Sequence, residues 1–162
     1  MKHTITILLL LLLMNVQETK AQTHTNTTTI EYTISVEDST AIWAVLDKYM
    51  ENFREPLEVY LPKHLETYLF PHVRMASGTV TVIPNADSMP VAYWKARMPA
   101  GWDHSEWVSR KIIQASPKKV HIAVVFRRFR KDNSVIADEA SFYILEKVND
   151  KWGIRGRSSY AM

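Results

Sequence analysis

Apolar positions along this chain fall into three regimes. Ile5 to Met14 is a nearly unbroken apolar run. From Ser35 the apolar residues recur at steps of three and four, and Ile42, Val45, Leu46, Tyr49, Met50 and Phe53 share one helix face. Ser35 with Asp38 three residues on marks the start of that helix, and Pro56 stops it after Glu55. A second helix is expected from Pro62 to Leu69, with the proline in its first turn and Leu65, Tyr68 and Leu69 on its apolar face. The period then changes to two. Residues His72 to Ala76 and Thr79 to Ile83 flank the Ser77–Gly78 turn and read as a hairpin. A third helical piece is expected over Asp87 to Met98, with Val91, Trp94 and Met98 on one side. Beyond it come strands from Trp107 to Gln114, Val120 to Arg130 and Val135 to Val148, then a last one from Trp152 to about Tyr160. Asp132–Ser134 and Asn149–Lys151 supply the later turns. Helices first and tightly turned strands afterwards make an α+β layout, three helices on one side and an antiparallel sheet on the other.

The leading run has the parts of an export signal in order: a basic start at Lys2 and His3, the apolar stretch, and a polar end. It is too short for the roughly 20 apolar residues a membrane helix needs. Residues 1–21 are therefore expected to be a signal peptide cleaved after Ala21, and the mature protein to be exported, either periplasmic or secreted. Residues 22–34, rich in threonine, read as a flexible lead-in, and residues 35–162 as the working domain. The chain has no cysteine, so no lipid-anchoring cysteine and no disulfide is expected.

Charge narrows the partners. The formal net charge of +3 falls by one when Lys2, Lys20 and Glu18 leave with the signal segment, too little for the broad basic field of a nucleic-acid binder. The densest basic run, Arg127, Arg128, Arg130 and Lys131, sits at a strand end, where neighbours alternate between faces. Asp103, His104 and Glu106 bring metal-binding residue types together without the spacing that puts two ligands on one face, so no metal is expected. No motif implies a cofactor.

The closing segments FRRFRK, DNS, ADEASFYILEKV and NDKWGIRGRSS, over Val120 to Met162, resemble the C-terminal half of the nuclear transport factor 2-like (SnoaL-like) superfamily. The stretch AIWAVLDKYMENF is similar to its first helix. The resemblance implies a cone-shaped curved antiparallel sheet packed on three helices of the N-terminal half, an α+β barrel with an apolar pocket at its wide end. It does not fix a function, because this fold carries both enzymes and binding modules. Enzymes of the superfamily place a carboxylate or histidine at the pocket floor as base, with a tyrosine or protonated acid to stabilise an oxyanion. Tyr49 falls where the isomerases keep that tyrosine. Their aspartate would fall on or near Ala76, and no carboxylate stands between His72 and Ile83, which argues against the isomerase mechanism.

His72 is the best substitute base, titrating near neutrality at a strand start. Asp138 and Glu139 offer one carboxylate to each face of their strand. An inward Asp138 needs a partner, and Arg128 or Arg157 could hold it. On the final strand, Trp152, Ile154, Gly156, Ser158 and Tyr160 would face the pocket or core, with Arg155 and Arg157 on the opposite side. The expected ligand-binding set is thus Tyr49, His72, Trp94, Arg128, Asp138 and Ser158, and the catalytic candidates are His72, Asp138 and Tyr49. Ordinary packing or ion pairing accounts for each as well. The leading reading is an exported, non-catalytic domain binding a small, partly apolar molecule and pairing as a homodimer through its outer sheet face. A dehydratase, cyclase or isomerase-type enzyme is the alternative, and a protein-interaction module acting through a continuous apolar sheet face is the third.

Overall fold

The computed structural model describes residues 32–160. The segment expected to be a signal peptide and most of the expected Thr-rich lead-in lie outside the described residues. The elements are α1 (Val36–Glu51), α2 (Leu57–Leu65), β1 (Tyr68–Ala76), β2 (Thr79–Ile83), a short 3-10 turn (Ala86–Ser88), α3 (Val91–Lys95), β3 (His104–Ser116), β4 (Lys119–Phe129), β5 (Val135–Val148) and β6 (Lys151–Ser159). The six strands form one open sheet in the order β2-β1-β6-β5-β4-β3. Its edges do not close into a barrel.

Helix α1 starts where its cap predicts. Ser35 Oγ accepts the Asp38 amide at 3.0 Å, removing one of the unpaired donors of the first turn. The Asp38 carboxylate in turn accepts from Trp152 Nε1 at 2.8 Å and Lys147 Nζ at 2.9 Å, which pins the helix start to β5 and β6. Ile42, Leu46, Tyr49, Met50 and Phe53 are buried as the helical period requires.

Helix α2 begins five residues earlier than expected, at Leu57, and carries Pro62 inside rather than in its first turn. An interior proline costs about 3 kcal/mol. Leu57 and Leu61 are both buried, and each returns about 1.5–3 kcal/mol, which offsets that cost. The third helical piece is shorter than expected, a 3-10 turn and the five residues of α3.

The sheet is mixed, not wholly antiparallel. Strands joined by tight turns run antiparallel as expected, but no turn joins β1 to β6, and these two run parallel. Their register slips between Tyr68 and Val73, so the ladder is irregular at the stretch that contains His72. A second slip, between Ile144 and Leu145 on β5, places one extra residue, Arg155, on β6. This bulge reverses the facing of everything after it.

Candidate functional site

The inner face of the sheet can be read by parity. On β4, Val120, Ile122, Val124 and Phe126 are buried, and the same step of two brings Arg128 inward. On β5, Leu145, Tyr143 and Ser141 are buried, and the next inward position is Glu139, not Asp138. Asp138 lies on the outer face, where Arg127 grips it through Nε at 2.6 Å and Nη2 at 2.8 Å. The inward pairing expected between Asp138 and Arg128 or Arg157 is therefore replaced by Glu139 with Arg128. On β6 the bulge at Arg155 turns Arg157 inward and Ser158 outward, and Ser159 takes the inner position instead. Those two positions exchange faces relative to the sequence expectation.

These side chains open onto one cavity of about 180 Å³. His72 and Ala76 on β1, Met89, Tyr93 and Trp94 around α3, Arg128, Glu139, Arg157 and Ser159 line it, together with the half-buried Arg74 and the exposed Ser77 and Arg97. Four arginines there face one carboxylate. Glu139 is committed to Arg128, with Nη2 donating to Oε2 at 3.1 Å, while Arg128 Nε sits 2.9 Å from Oε1 with its N–H directed elsewhere.

Arg157 differs. It is 8% exposed, and no ion pair among the described residues includes it. Its nitrogens reach only hydroxyls: Ser141 Oγ at 3.1 and 3.4 Å and Tyr49 Oη at 3.4 Å. Burial is the largest influence on its charge and works against it; Glu139 supports the charge from beyond ion-pair distance, while Tyr68 and Tyr143, held protonated by burial, carry no negative charge at ordinary pH. A guanidinium stays charged in any case, so the cavity wall carries a buried cation with no carboxylate within ion-pair distance among the described residues.

Four buried polar side-chain atoms lack a hydrogen-bond partner among the described residues: Tyr93 Oη, Trp94 Nε1, Arg128 Nε and Ser159 Oγ. All four belong to residues that line this cavity. Each carries a donor hydrogen, and unpaired buried donors are rare enough to need an explanation.

Two histidines stay neutral nearby. His72 Nδ1 donates to the Ile154 carbonyl at 3.3 Å across the irregular part of the β1–β6 ladder, which leaves Nε2 as the ring's acceptor. Burial, partly opposed by that bond, pushes it down to about 4. His64, singled out by no sequence feature, donates from Nδ1 to the Tyr49 carbonyl at 3.0 Å, and burial pushes it down to about 3. Burial also raises Tyr68 and Tyr143 well above the ordinary phenol value. Tyr49, 1% exposed, does not line the cavity. Its hydroxyl accepts from Tyr143 Oη at 3.1 Å and supports Arg157 from behind.

The structure thus brings together His72, Trp94 and Arg128 of the expected set, leaves Tyr49 one layer behind, and separates Asp138 and Ser158 from them. Glu139, Arg157, Ser159 and Tyr93 are the additions. Parity counted back from Tyr143 and Leu145 finds Glu139, whereas Arg157 and Ser159 depend on a bulge that leaves no local sequence mark. In the Asp103–Glu106 cluster His104 lies between the two carboxylates: Asp103 Oδ2 is 2.8 Å from His104 Nδ1, and Glu106 Oε1 lies 3.9 Å from Nε2. No group of three or more metal-ligating side chains forms among the described residues. Nor is any described helix long and apolar enough to cross a membrane.

A family model described as NTF2-like protein (DUF6841) matches residues 37–161. Among solved structures, the chain is similar to a protein of unknown function with a cystatin-like fold from Nostoc punctiforme, at 10% identity and TM-score 0.64, covering 79% of this chain and 93% of that one. It is also similar to an NTF-2 like protein of unknown function from Shewanella oneidensis, at 16% identity and TM-score 0.59, covering 75% and 98%. A third similar structure is a putative calcium/calmodulin dependent protein kinase II association domain from Xanthomonas campestris, at 14% identity and TM-score 0.52, covering 80% and 89%. No curated protein matches the chain. At these identities the structural likeness shows the fold alone.

Proposed function

We propose that this chain, which belongs to the NTF2-like family (DUF6841) over residues 37–161, is a binding domain whose cavity holds one small organic carboxylate. The observation that carries the proposal is Arg157, a buried cation with no carboxylate partner, beside unpaired donors on Trp94, Tyr93 and Ser159. A carboxylate supplies what these groups lack, a negative charge with several acceptor lone pairs, and an arginine fork fits its plane. Met89, Met98 and Trp94 supply apolar wall for the rest of the ligand. The cavity is close in size to a roughly 150 Å³ space that takes benzene, so one ring or a short chain fills it. Arg74 and the exposed Arg97, which also line the cavity, favour the approach of an anion.

Native mass spectrometry of protein purified from its own compartment checks this. The expected result is a retained mass that acid releases as a carboxylic acid; a retained neutral or cationic molecule contradicts it.

His72 supports a second reading, an enzyme of the dehydratase, cyclase or isomerase kind. Its ring lines the same cavity and stays neutral, as a base must at neutral pH. Asp138 plays no part in this version, and the carboxylate lining the cavity, Glu139, is held by Arg128. Turnover of a bound carboxylate that His72→Gln abolishes without loosening binding would favour it over simple binding.

The domain is further proposed to act outside the cytoplasm. N-terminal sequencing of the protein isolated from its host is expected to begin at Gln22; a mature chain beginning at Met1 removes this part while leaving the cavity unaffected. Pairing of two copies through the outer sheet face is part of the same proposal. That face carries Arg127 with Asp138, and Glu146 with Lys119 and Arg155, so it is not the continuous apolar surface expected of an interaction module.

A further inference from the structure

Met89 is the one residue shared between the cavity and a second, larger hollow. This groove, of about 480 Å³, lies between α2 and the segment leading into α3, and Leu61, Pro62, Leu65, Pro90 and Val91 form its apolar wall. We infer that the ligand is an amphipathic carboxylate whose head sits at Arg157 and whose hydrocarbon tail passes the Met89 side chain into the groove. The inference rests on the reading that the cavity holds a carboxylate.

Three observations support it. The cavity alone falls below the roughly 300–1,000 Å³ of ordinary small-molecule sites, whereas the groove lies within that range. Met89 is 1% exposed and stands between the two spaces. Its side chain is unbranched and flexible, so a rotamer change there is the movement that would join them. The backbone there is held by the Met89 amide donating to the Ala86 carbonyl at 2.9 Å, which leaves the side chain as the moving part.

Charge then sets one orientation. All four arginines line the cavity, and the groove wall has no lysine or arginine. Its charged members are Asp87 and Glu58, the latter paired with Lys95 at 2.5 Å. A carboxylate is repelled from the groove and drawn to Arg157, while an alkyl chain meets leucine, proline and valine.

The test is calorimetric titration of butyrate, hexanoate, octanoate and decanoate into the wild-type protein and into Val91→Asp and Leu65→Glu. Both altered positions line the groove, not the cavity, and both are only half-buried, so the folded state tolerates a charge. Affinity is expected to rise about two- to fourfold for each added methylene. Either substitution is expected to weaken decanoate about tenfold or more and leave butyrate within about threefold. An affinity that stops rising at butyrate, or groove variants that bind decanoate as the wild type does, overturns the tail while the carboxylate reading stands. Failure of every member of the series to bind overturns both.

Discussion

Arg157→Met is expected to abolish carboxylate binding and at the same time raise the stability of the folded domain. The guanidinium is buried among Tyr49, Tyr143 and Ser141 with no carboxylate within an ion pair's reach among the described residues. Its neighbours take up three of its five hydrogens and none of them carries a balancing charge. Replacing a buried ionic group by an apolar one of similar volume is often stabilising, by about 1–4 kcal/mol. Here the low end, about 1 kcal/mol, is expected, because the cavity admits solvent to part of the group. Tyr49 and Tyr143 keep their mutual bond in the variant, and Ser141 Oγ is the one group left to find a new donor.

Binding moves the other way. A charge-assisted hydrogen bond contributes about 1.5–3 kcal/mol, and a carboxylate sealed in the cavity without its cation costs more than its hydrogen bonds return. A loss of about a hundredfold or more in benzoate affinity is expected. Thermal unfolding and calorimetric titration read the two effects separately. Arg157→Lys, which keeps the charge but not the planar fork, is expected to fall between the two proteins in affinity. A methionine variant that is less stable and still binds benzoate within about threefold of wild type would assign Arg157 a purely structural role.

A second large effect concerns acid. His64 and His72 lie at about 3 and about 4 in the folded protein, against 6.5 for the free side chain, with burial the main cause for both. The unfolded chain therefore takes up protons at these sites below pH 6.5 while the folded chain does not. Stability from these neutral rings is fully present above pH 6.5 and is lost as pH falls toward 4. Each tenfold difference in proton affinity between the folded and unfolded chain is worth about 1.4 kcal/mol, so the two rings together remove on the order of 5 kcal/mol by pH 4.5. That is comparable to the whole stability of many domains, about 5–15 kcal/mol.

The carboxylates act in a separate window. Asp38, Glu58, Glu66, Asp132, Asp138 and Glu146 are held below their ordinary values by their partners, which at Glu146 outweigh burial. Their contribution is lost only below about pH 4.5, and most are exposed and screened. Urea midpoints measured between pH 7.5 and 4.5 are expected to drop steadily from pH 6.5 downward. His64→Phe is expected to remove about half of that slope. A flat profile down to pH 4.5 would mean that the two rings are not neutral and buried together.

What the sequence made legible follows from where side-chain period alone decides. The 3.6 period from Ile42 to Phe53 and the Ser35 cap locate α1, and β5 runs over Val135–Val148 as the alternation and flanking turns require. Arg128 and Trp94 follow from the same periods. Long-range pairing is not written in any local pattern. The parallel β1–β6 contact joins residues far apart in sequence, and the Arg155 bulge appears only once β6 is laid against β5. Those two features decide that Arg157 faces inward, that His72 bridges an irregular ladder, and that the pocket is basic where an apolar one was expected. The α2 start was hidden for a different reason. Pro62 marks a helix start by local rules, and burial of Leu57 and Leu61 overrides it.

The claim that the cavity selects a negative charge is tested most directly by one pair of isosteric probes, benzoate and benzamide, titrated into the wild-type protein at neutral pH. They share ring and shape and differ in the charge offered to Arg157. Benzoate is expected to bind at least about thirtyfold more tightly than benzamide, with the difference shrinking in Arg157→Met. Equal binding of the two, or tighter binding of benzamide, would contradict the account.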